Sequence, residues 1–141
     1  MIAFDRPIKF EEVDAAGIVF FARYLNYAHE AMERFFGELE GGYAHLIMGR
    51  RVGFPAVEVK IAFTSPMRYG DVLRIETRVS QLGNRSATFH YRMLHRETGA
   101  LAAEIFHKVV VSDLVALKSC EMPPELRALL AAHQEPAIAS T

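Results

Sequence analysis

The chain has 141 residues, of which 51% are hydrophobic and 23% charged, a balance typical of one globular domain over residues 1–141. The formal net charge of −1 provides no basic patch, which argues against nucleic acid as a partner. The single cysteine, Cys120, cannot form an internal disulfide. No apolar run approaches a membrane span, and the first residues lack a signal-peptide pattern. We therefore expect a cytoplasmic protein without a membrane span.

The first predicted elements are a short strand and a long helix. Ile8 and Phe10 alternate with Lys9 in a strand over residues 2–10, and the acidic stretch that follows predicts a loop. From about residue 22 to 36, apolar residues recur at steps of three and four, which predicts one helix face. That face is so wide that we expect other elements to enclose the helix. Its members are Tyr24, Leu25, Tyr27, Ala28, Ala31, Met32, Phe35 and Phe36.

The rest of the chain predicts a short helical segment near residues 43–48 and then four strands. Alternation predicts two half-buried strands over 57–63 and 73–79, followed by strands over 89–93 and 101–112. Pro123 and Pro124 predict the start of a last helix that ends near residue 132, and the tail from about residue 133 is expected to fray.

This order of elements predicts an α+β domain. One strand, a long buried helix and four consecutive strands fit the hot-dog fold, in which an antiparallel sheet wraps around one central helix. Such a sheet leaves edges that commonly pair between subunits, so we expect a homo-oligomer, either a dimer or a homotetramer.

The candidate site lies where the loop meets the helix. Asp14 is on the loop, Gly17 follows three residues later, and residues 18–22 include no Ser, Thr, Asp or Asn to cap the helix. The first helix amides are therefore predicted to be open donors, and such donors can hold an oxyanion. Asp14 would supply the second part of the chemistry. The spacing alone also fits an ordinary turn residue beside a buried helix start.

The stretch from Asp14 to Val19, with Tyr24 and Tyr27 after it, closely resembles the signature of the 4-hydroxybenzoyl-CoA thioesterase family. Residues 63–71 resemble the family's link between its second and third strands, and the resemblance covers about residues 5–115. It implies hydrolysis of an acyl-CoA without a cofactor, with Asp14 as nucleophile or as general base. Both routes stay open, as does the identity of the acyl group.

The resemblance also implies a set of substrate-binding residues. The backbone amide of Phe21 or its neighbour Ala22 would polarise the thioester carbonyl, with Gly17 and Tyr24 beside it. Lys60 is the preferred basic contact for CoA, because the resemblance places its strand beside the substrate channel. Many bacterial members associated with the Tol–Pal system carry His at the position of Phe21. The Phe at this position argues against membership of that branch. It indicates either an apolar acyl pocket or a side chain that fills the core.

Two other functions remain open from the sequence. His29, Glu30 and Glu33 on the helix could serve a hydratase or dehydratase of the same fold, although Glu30 and Arg34 also fit a surface ion pair. The second of these functions is that of a non-catalytic subunit that binds acyl-CoA. The six histidines and one cysteine show no paired ligand spacing, so we predict no metal.

Overall fold

A computed structural model of the protein describes residues 1–136, in which a five-stranded antiparallel sheet curls around one long helix. The helices α1 to α3 cover Arg23–Phe35, Gly42–Ala44 and Pro124–Ala132. The strands β1 to β8 cover Ile2–Pro7, Val52–Gly53, Ala56–Phe63, Val72–Leu82, Ser86–His95, Leu101–Val110, Ser112–Asp113 and Lys118–Ser119. Shorter helical turns lie at Phe10–Glu12, Phe36–Glu38 and His45–Gly49. The predicted α+β hot-dog architecture is confirmed.

The main sheet has the strand order β1-β4-β5-β6-β3, and β2, β7 and β8 form a small second sheet. Alternate residues of β4 and β5, among them Ile75 and Phe89, are fully buried because they face α1. From the helix side, Tyr27 and Phe35 are equally buried. Burial of each large apolar side chain contributes about 1.5–3 kcal/mol, so this interface between helix and sheet contributes strongly to the stability.

The central helix matches its prediction at every apolar position except one. Leu25, expected on the buried face, is 47% exposed. It points towards the side of α1 where the sheet ends at β3, and it lines a cavity there.

Strand β3 is not half-buried as predicted. It lies at the edge of the sheet and pairs only with β6, so the side chains on its helix-facing side are largely open. Val59 and Phe63 are 42% and 52% exposed. The alternating pattern identified the strand correctly, but it could not reveal that no described element covers it.

The first strand ends earlier than predicted. Strand β1 stops at Pro7, and Phe10, expected in the strand, lies in a helical turn with 74% of its surface exposed. Proline has no amide hydrogen with which to continue strand pairing, which is consistent with a strand end at this residue.

The fraying predicted from residue 133 is wrong for residues 133–136. The Val79 amide donates to the His133 carbonyl at 3.0 Å, and the Glu135 amide donates to the Val79 carbonyl at 2.8 Å. The Glu135 carboxylate also lies 2.9 Å from a ring nitrogen of His90. The two backbone hydrogen bonds use groups of β4 that lie beyond the last residue paired with β1. The rest of the predicted frayed tail, residues 137–141, lies outside the described residues.

Within residues 1–136, none of the helices combines the length and the hydropathy needed to cross a membrane.

Candidate active site

Asp14 heads a tight turn, here called the Asp14 turn, that comprises residues 13–19. The Asp14 amide donates to the Ile18 carbonyl and the Gly17 amide donates to the Asp14 carbonyl, both at 2.9 Å. Gly17 has φ +80°, and a Cβ at this position would meet no atom within 4 Å. The glycine is therefore required by the left-handed backbone conformation and not by a lack of room.

The Asp14 carboxylate is exposed and only partly occupied. Its Oδ1 accepts a hydrogen bond of 2.8 Å from the Ala16 amide, which orients the group. Among the described residues, Oδ2 has no hydrogen-bond partner within the protein. One oxygen is thus free for a substrate or a water molecule.

The chain between the turn and α1 uses some of its amides and leaves others open. The Val19 amide donates to the Met67 carbonyl at 2.9 Å, and the Phe20 amide donates to the Glu12 carbonyl at 3.0 Å. In residues 1–136 neither Phe21 nor Ala22 donates its amide to the protein. No side chain caps the helix at Ala22. The predicted uncapped helix start is confirmed, and its open donors are the amides of these two residues.

The bond between Phe20 and Glu12 brings the two parts of the candidate site together. Asp14 follows Glu12 by two residues, and Phe21 is the next residue after Phe20. One backbone hydrogen bond therefore connects the segment that contains Asp14 to the segment that contains the open amides. The Phe21 side chain is 65% exposed, so the alternative that it fills the core is wrong.

Beneath the turn lies an ionic group, the Arg6 cluster, formed by the buried residues Arg6, Glu12 and Tyr27 and the partly exposed Glu30. Arg6 donates from Nη1 and Nη2 to the two carboxylate oxygens of Glu12, both at 2.6 Å, and from Nε to Glu30 at 2.7 Å. Its guanidinium lies 4.3 Å from the centre of the Tyr27 ring. Arg6 is 9% exposed and Glu12 is 4% exposed.

The electrostatics of the cluster follow from burial and pairing. Burial pushes the pKa of Glu12 up, but the hydrogen bonds from Arg6 and from the Lys9 amide outweigh it and hold this pKa below its usual value. Burial, followed by the nearby Glu12 charge, raises the pKa of the Tyr27 hydroxyl. That hydroxyl is the one buried side-chain polar atom of the described residues without a well-formed hydrogen bond.

Sequence reasoning missed this cluster, although β1 contains a signal for it. Ile2, Phe4 and Arg6 share the inward face of the strand, and an arginine in that series requires a buried partner. The predicted surface pair between Glu30 and Arg34 is wrong: Glu30 pairs with Arg6, and Arg34 lies over the Phe4 ring at 4.6 Å.

Tyr24 lies on the core side of the helix start and is only 3% exposed. Its ring contacts those of Tyr27 and Phe63, with centroids 5.6 and 5.3 Å away. Burial raises the pKa of its hydroxyl, while a hydrogen bond donated by the Met67 backbone amide opposes the shift. In this protomer Tyr24 supports the site from below and offers a ligand little surface.

The structure does not bring Lys60 together with the Asp14 turn. Its neighbour Ile61 packs towards the core, so Lys60 points away from α1, on the outer face of the sheet. The side chain is 75% exposed and its ammonium lies 3.1 Å from Glu58.

A small apolar cavity of about 200 Å³ lies between α1, β3 and β6, and no sequence pattern predicted its position. Leu25, three residues after Ala22, places one end of the cavity within a turn of the open amides. Burial lowers the pKa of His107, which therefore favours the neutral ring, and its Nδ1 lies 3.3 Å from the Tyr91 hydroxyl. The lining residues are Leu25, Ala28, His29, Ala56, Val59, Ile105 and His107.

Larger depressions of the described residues lie away from the Asp14 turn, among them one beside Gly41, one on the outer face of the sheet around His90 and one beside Gly83. None of these three includes a residue of the turn or of the helix start. In the part of the chain that is described, no three His, Cys, Asp or Glu side chains come close enough to hold a metal ion.

Comparisons with known proteins identify the family of the chain. Residues 8–130 match the model of the family described as the thioesterase-like superfamily. A 1,4-dihydroxy-2-naphthoyl-CoA hydrolase from Synechococcus elongatus is 33% identical over 111 residues, which cover 78% of this chain and 82% of the relative. An acyl-CoA thioesterase, YbgC, from Haemophilus influenzae is 26% identical over 127 residues, covering 89% of this chain and 92% of the relative.

One solved structure is similar to this chain in both fold and sequence. The gentisyl-coenzyme A thioesterase BH1999 superposes with a TM-score of 0.81 at 29% identity, covering 89% of this chain and 99% of the other. The similarity extends over almost the whole of that protein.

Proposed function

The chain belongs to the thioesterase-like superfamily, and on that premise we propose that it hydrolyses acyl-CoA thioesters to a free acid and CoA. The main support for the proposal is that the chain presents both a partly free Asp14 carboxylate and the open amides of Phe21 and Ala22. A group that delivers oxygen and donors that hold an oxyanion are the two requirements of this reaction.

Two routes are compatible with these groups. In the first, Asp14 Oδ2 attacks the thioester carbonyl carbon, CoA leaves as a thiolate, and water then hydrolyses the acyl-aspartate anhydride. In the second, Asp14 takes a proton from a water molecule as that water attacks the carbonyl, after which the C–S bond breaks and CoA leaves as a thiolate that can take up this proton. In both routes the carbonyl oxygen becomes negatively charged, and the Phe21 or Ala22 amide donates to it.

The apolar cavity supports an apolar acyl group. Its lining is almost entirely hydrocarbon and ring carbon, and it begins within a turn of the open amides. Two of the three relatives named above carry names that specify 1,4-dihydroxy-2-naphthoyl-CoA and gentisyl-CoA, which have aromatic acyl groups. We propose aromatic acyl-CoAs as the first substrates to test, with medium-chain acyl-CoAs beside them.

The exposed β3 edge supports a homo-oligomer. Its unpaired backbone and its open apolar side chains Val59 and Phe63 are suited to pairing with a second copy of the chain. A dimer would form through this edge, and a homotetramer would need a further contact. Lys60 could meet the CoA of a neighbouring protomer only in such an assembly. A cytoplasmic location is proposed from the single unpaired cysteine.

The test is a panel of acyl-CoA thioesters assayed for free-thiol release with the wild type and Asp14→Asn. We expect hydrolysis by the wild type and a loss of at least about 100-fold in kcat for the variant, because it removes the nucleophile or base. Glu11→Gln is the matched control, since it neutralises an exposed carboxylate of the same acidic stretch. It should retain wild-type turnover.

Near-normal turnover by folded Asp14→Asn would overturn the role of Asp14. If the wild type released no thiol but consumed an enoyl-CoA, the protein would be a hydratase instead. Ligand binding without turnover, unaffected by Asp14→Asn, would identify an acyl-CoA-binding subunit.

A further inference from the structure

We propose that Arg6 and Glu12 are positioning residues for Asp14, and that the Arg6 cluster sets the orientation of the Asp14 turn relative to the open amides. This inference rests on the proposed thioesterase function. Neither residue is proposed to touch the substrate.

Glu12 is held by both its side chain and its backbone. Its carboxylate oxygens each accept a hydrogen bond from Arg6, and Oε1 also accepts one of 2.8 Å from the Lys9 amide. Its carbonyl accepts the Phe20 amide. The residue two positions before Asp14 is thus fixed to the chain that leads into α1.

The same guanidinium also reaches α1. Arg6 donates to Glu30 on the second turn of the helix, and its planar group covers the Tyr27 ring one turn earlier. The base of the Asp14 turn and the helix that presents the open amides are therefore both held by one planar guanidinium group. A bidentate arginine–carboxylate pair permits only a narrow range of orientations, so it transmits position as well as charge.

Stability alone does not account for the cluster. Buried ion pairs are often no more stabilising than apolar side chains of similar volume, because two charges must leave water. The cluster also leaves the Tyr27 hydroxyl buried without a well-formed hydrogen bond. The cluster costs free energy because its charges lose water, and it fixes the geometry beneath the Asp14 carboxylate. Such a cluster is suited to orienting that carboxylate.

The kinetic test uses Glu12→Gln, which keeps the size of the side chain and removes its charge. We expect the folded variant to lose about 100-fold in kcat with little change in KM, the scale of loss for a reacting group displaced by about 1 Å. In the double variant with Asp14→Asn, the losses should not multiply, because both changes act through the same carboxylate.

Leu130→Ala is the matched control, because it removes fully buried volume from α3 without touching the turn. It should lower Tm while leaving the kcat of the folded enzyme unchanged. If Glu12→Gln behaved like this control, or if its loss multiplied with that of Asp14→Asn, the cluster would be merely structural and the proposal would be overturned.

A second measurement needs no substrate and separates this inference from the proposed function. Hydrogen exchange should accelerate more in Glu12→Gln at the amides of Asp14, Gly17 and Phe20, all hydrogen-bonded in the wild type, than in β5, which reports the loss of global stability. Unchanged exchange in the turn would overturn the proposal. If the wild type hydrolysed no acyl-CoA, the proposed function would fail, and exchange would still decide whether the cluster holds the turn.

Discussion

Glu12 and Asp14 are separated by one residue, yet their surroundings are opposite. Glu12 is 4% exposed, and both of its oxygens accept hydrogen bonds from Arg6. Asp14 is exposed, and the Ala16 amide holds only one of its oxygens. The acidic stretch therefore divides into a carboxylate that is immobilised by the fold and one that is left free to react.

The contrast is tested most strongly by Arg6→Met, which leaves the Glu12 carboxylate buried without its counter-ion. We expect a loss of about 3–5 kcal/mol in the free energy of unfolding, the usual cost of breaking a buried pair from one side. Asp14→Asn, at an exposed site, should change it by no more than about 0.5 kcal/mol. Urea unfolding measures both, and similar losses in the two variants would remove the distinction between the carboxylates.

In the part of the site that is left free to react, Ala22→Pro removes one of the two open amides. The φ of Ala22 is −67°, which matches the angle that proline imposes. We expect kcat for thiol release to fall by about 10²–10³-fold if this amide holds the oxyanion. Circular dichroism would check that α1 is retained. Unchanged turnover would assign the oxyanion donor to Phe21.

The smallest effect is expected at the tip of the turn. Gly17→Ala should lower the free energy of unfolding by about 1–2 kcal/mol, because φ is +80° and not because of a clash. Gly17→Asn should lose less, since asparagine enters this conformation more readily. The control is Gly37→Ala, where φ is not left-handed and the space is also open. An equal loss at Gly37 would contradict the conformational role of Gly17.

The architecture could be predicted from the sequence because its signals are local. The 3.6-residue period of α1 and the two-residue period of β4 and β5 are each contained in one segment. The same holds for the open amides, since the absence of a capping side chain near Ala22 can be read from five consecutive residues. Asp14 and its turn were likewise predictable from adjacent residues.

The features that sequence reasoning missed depend on contacts between distant segments. Arg6, Glu12 and Glu30 meet only when β1, the loop and α1 are assembled. The exposure of Leu25 depends on where the sheet ends, and the order at residues 133–136 depends on the unpaired end of β4. The cavity beside His107 has no sequence signature, because its volume is defined by three elements at once.

The unpaired edge of β3 also affects how well the protein resists aggregation. Eight residues of extended backbone with apolar side chains form a template on which any extended polypeptide can add a strand, as in the growth of fibrils. The strand contains Glu58 and Lys60, whose charges oppose indiscriminate addition. A protomer kept apart from its copies would rely on those two side chains to resist aggregation.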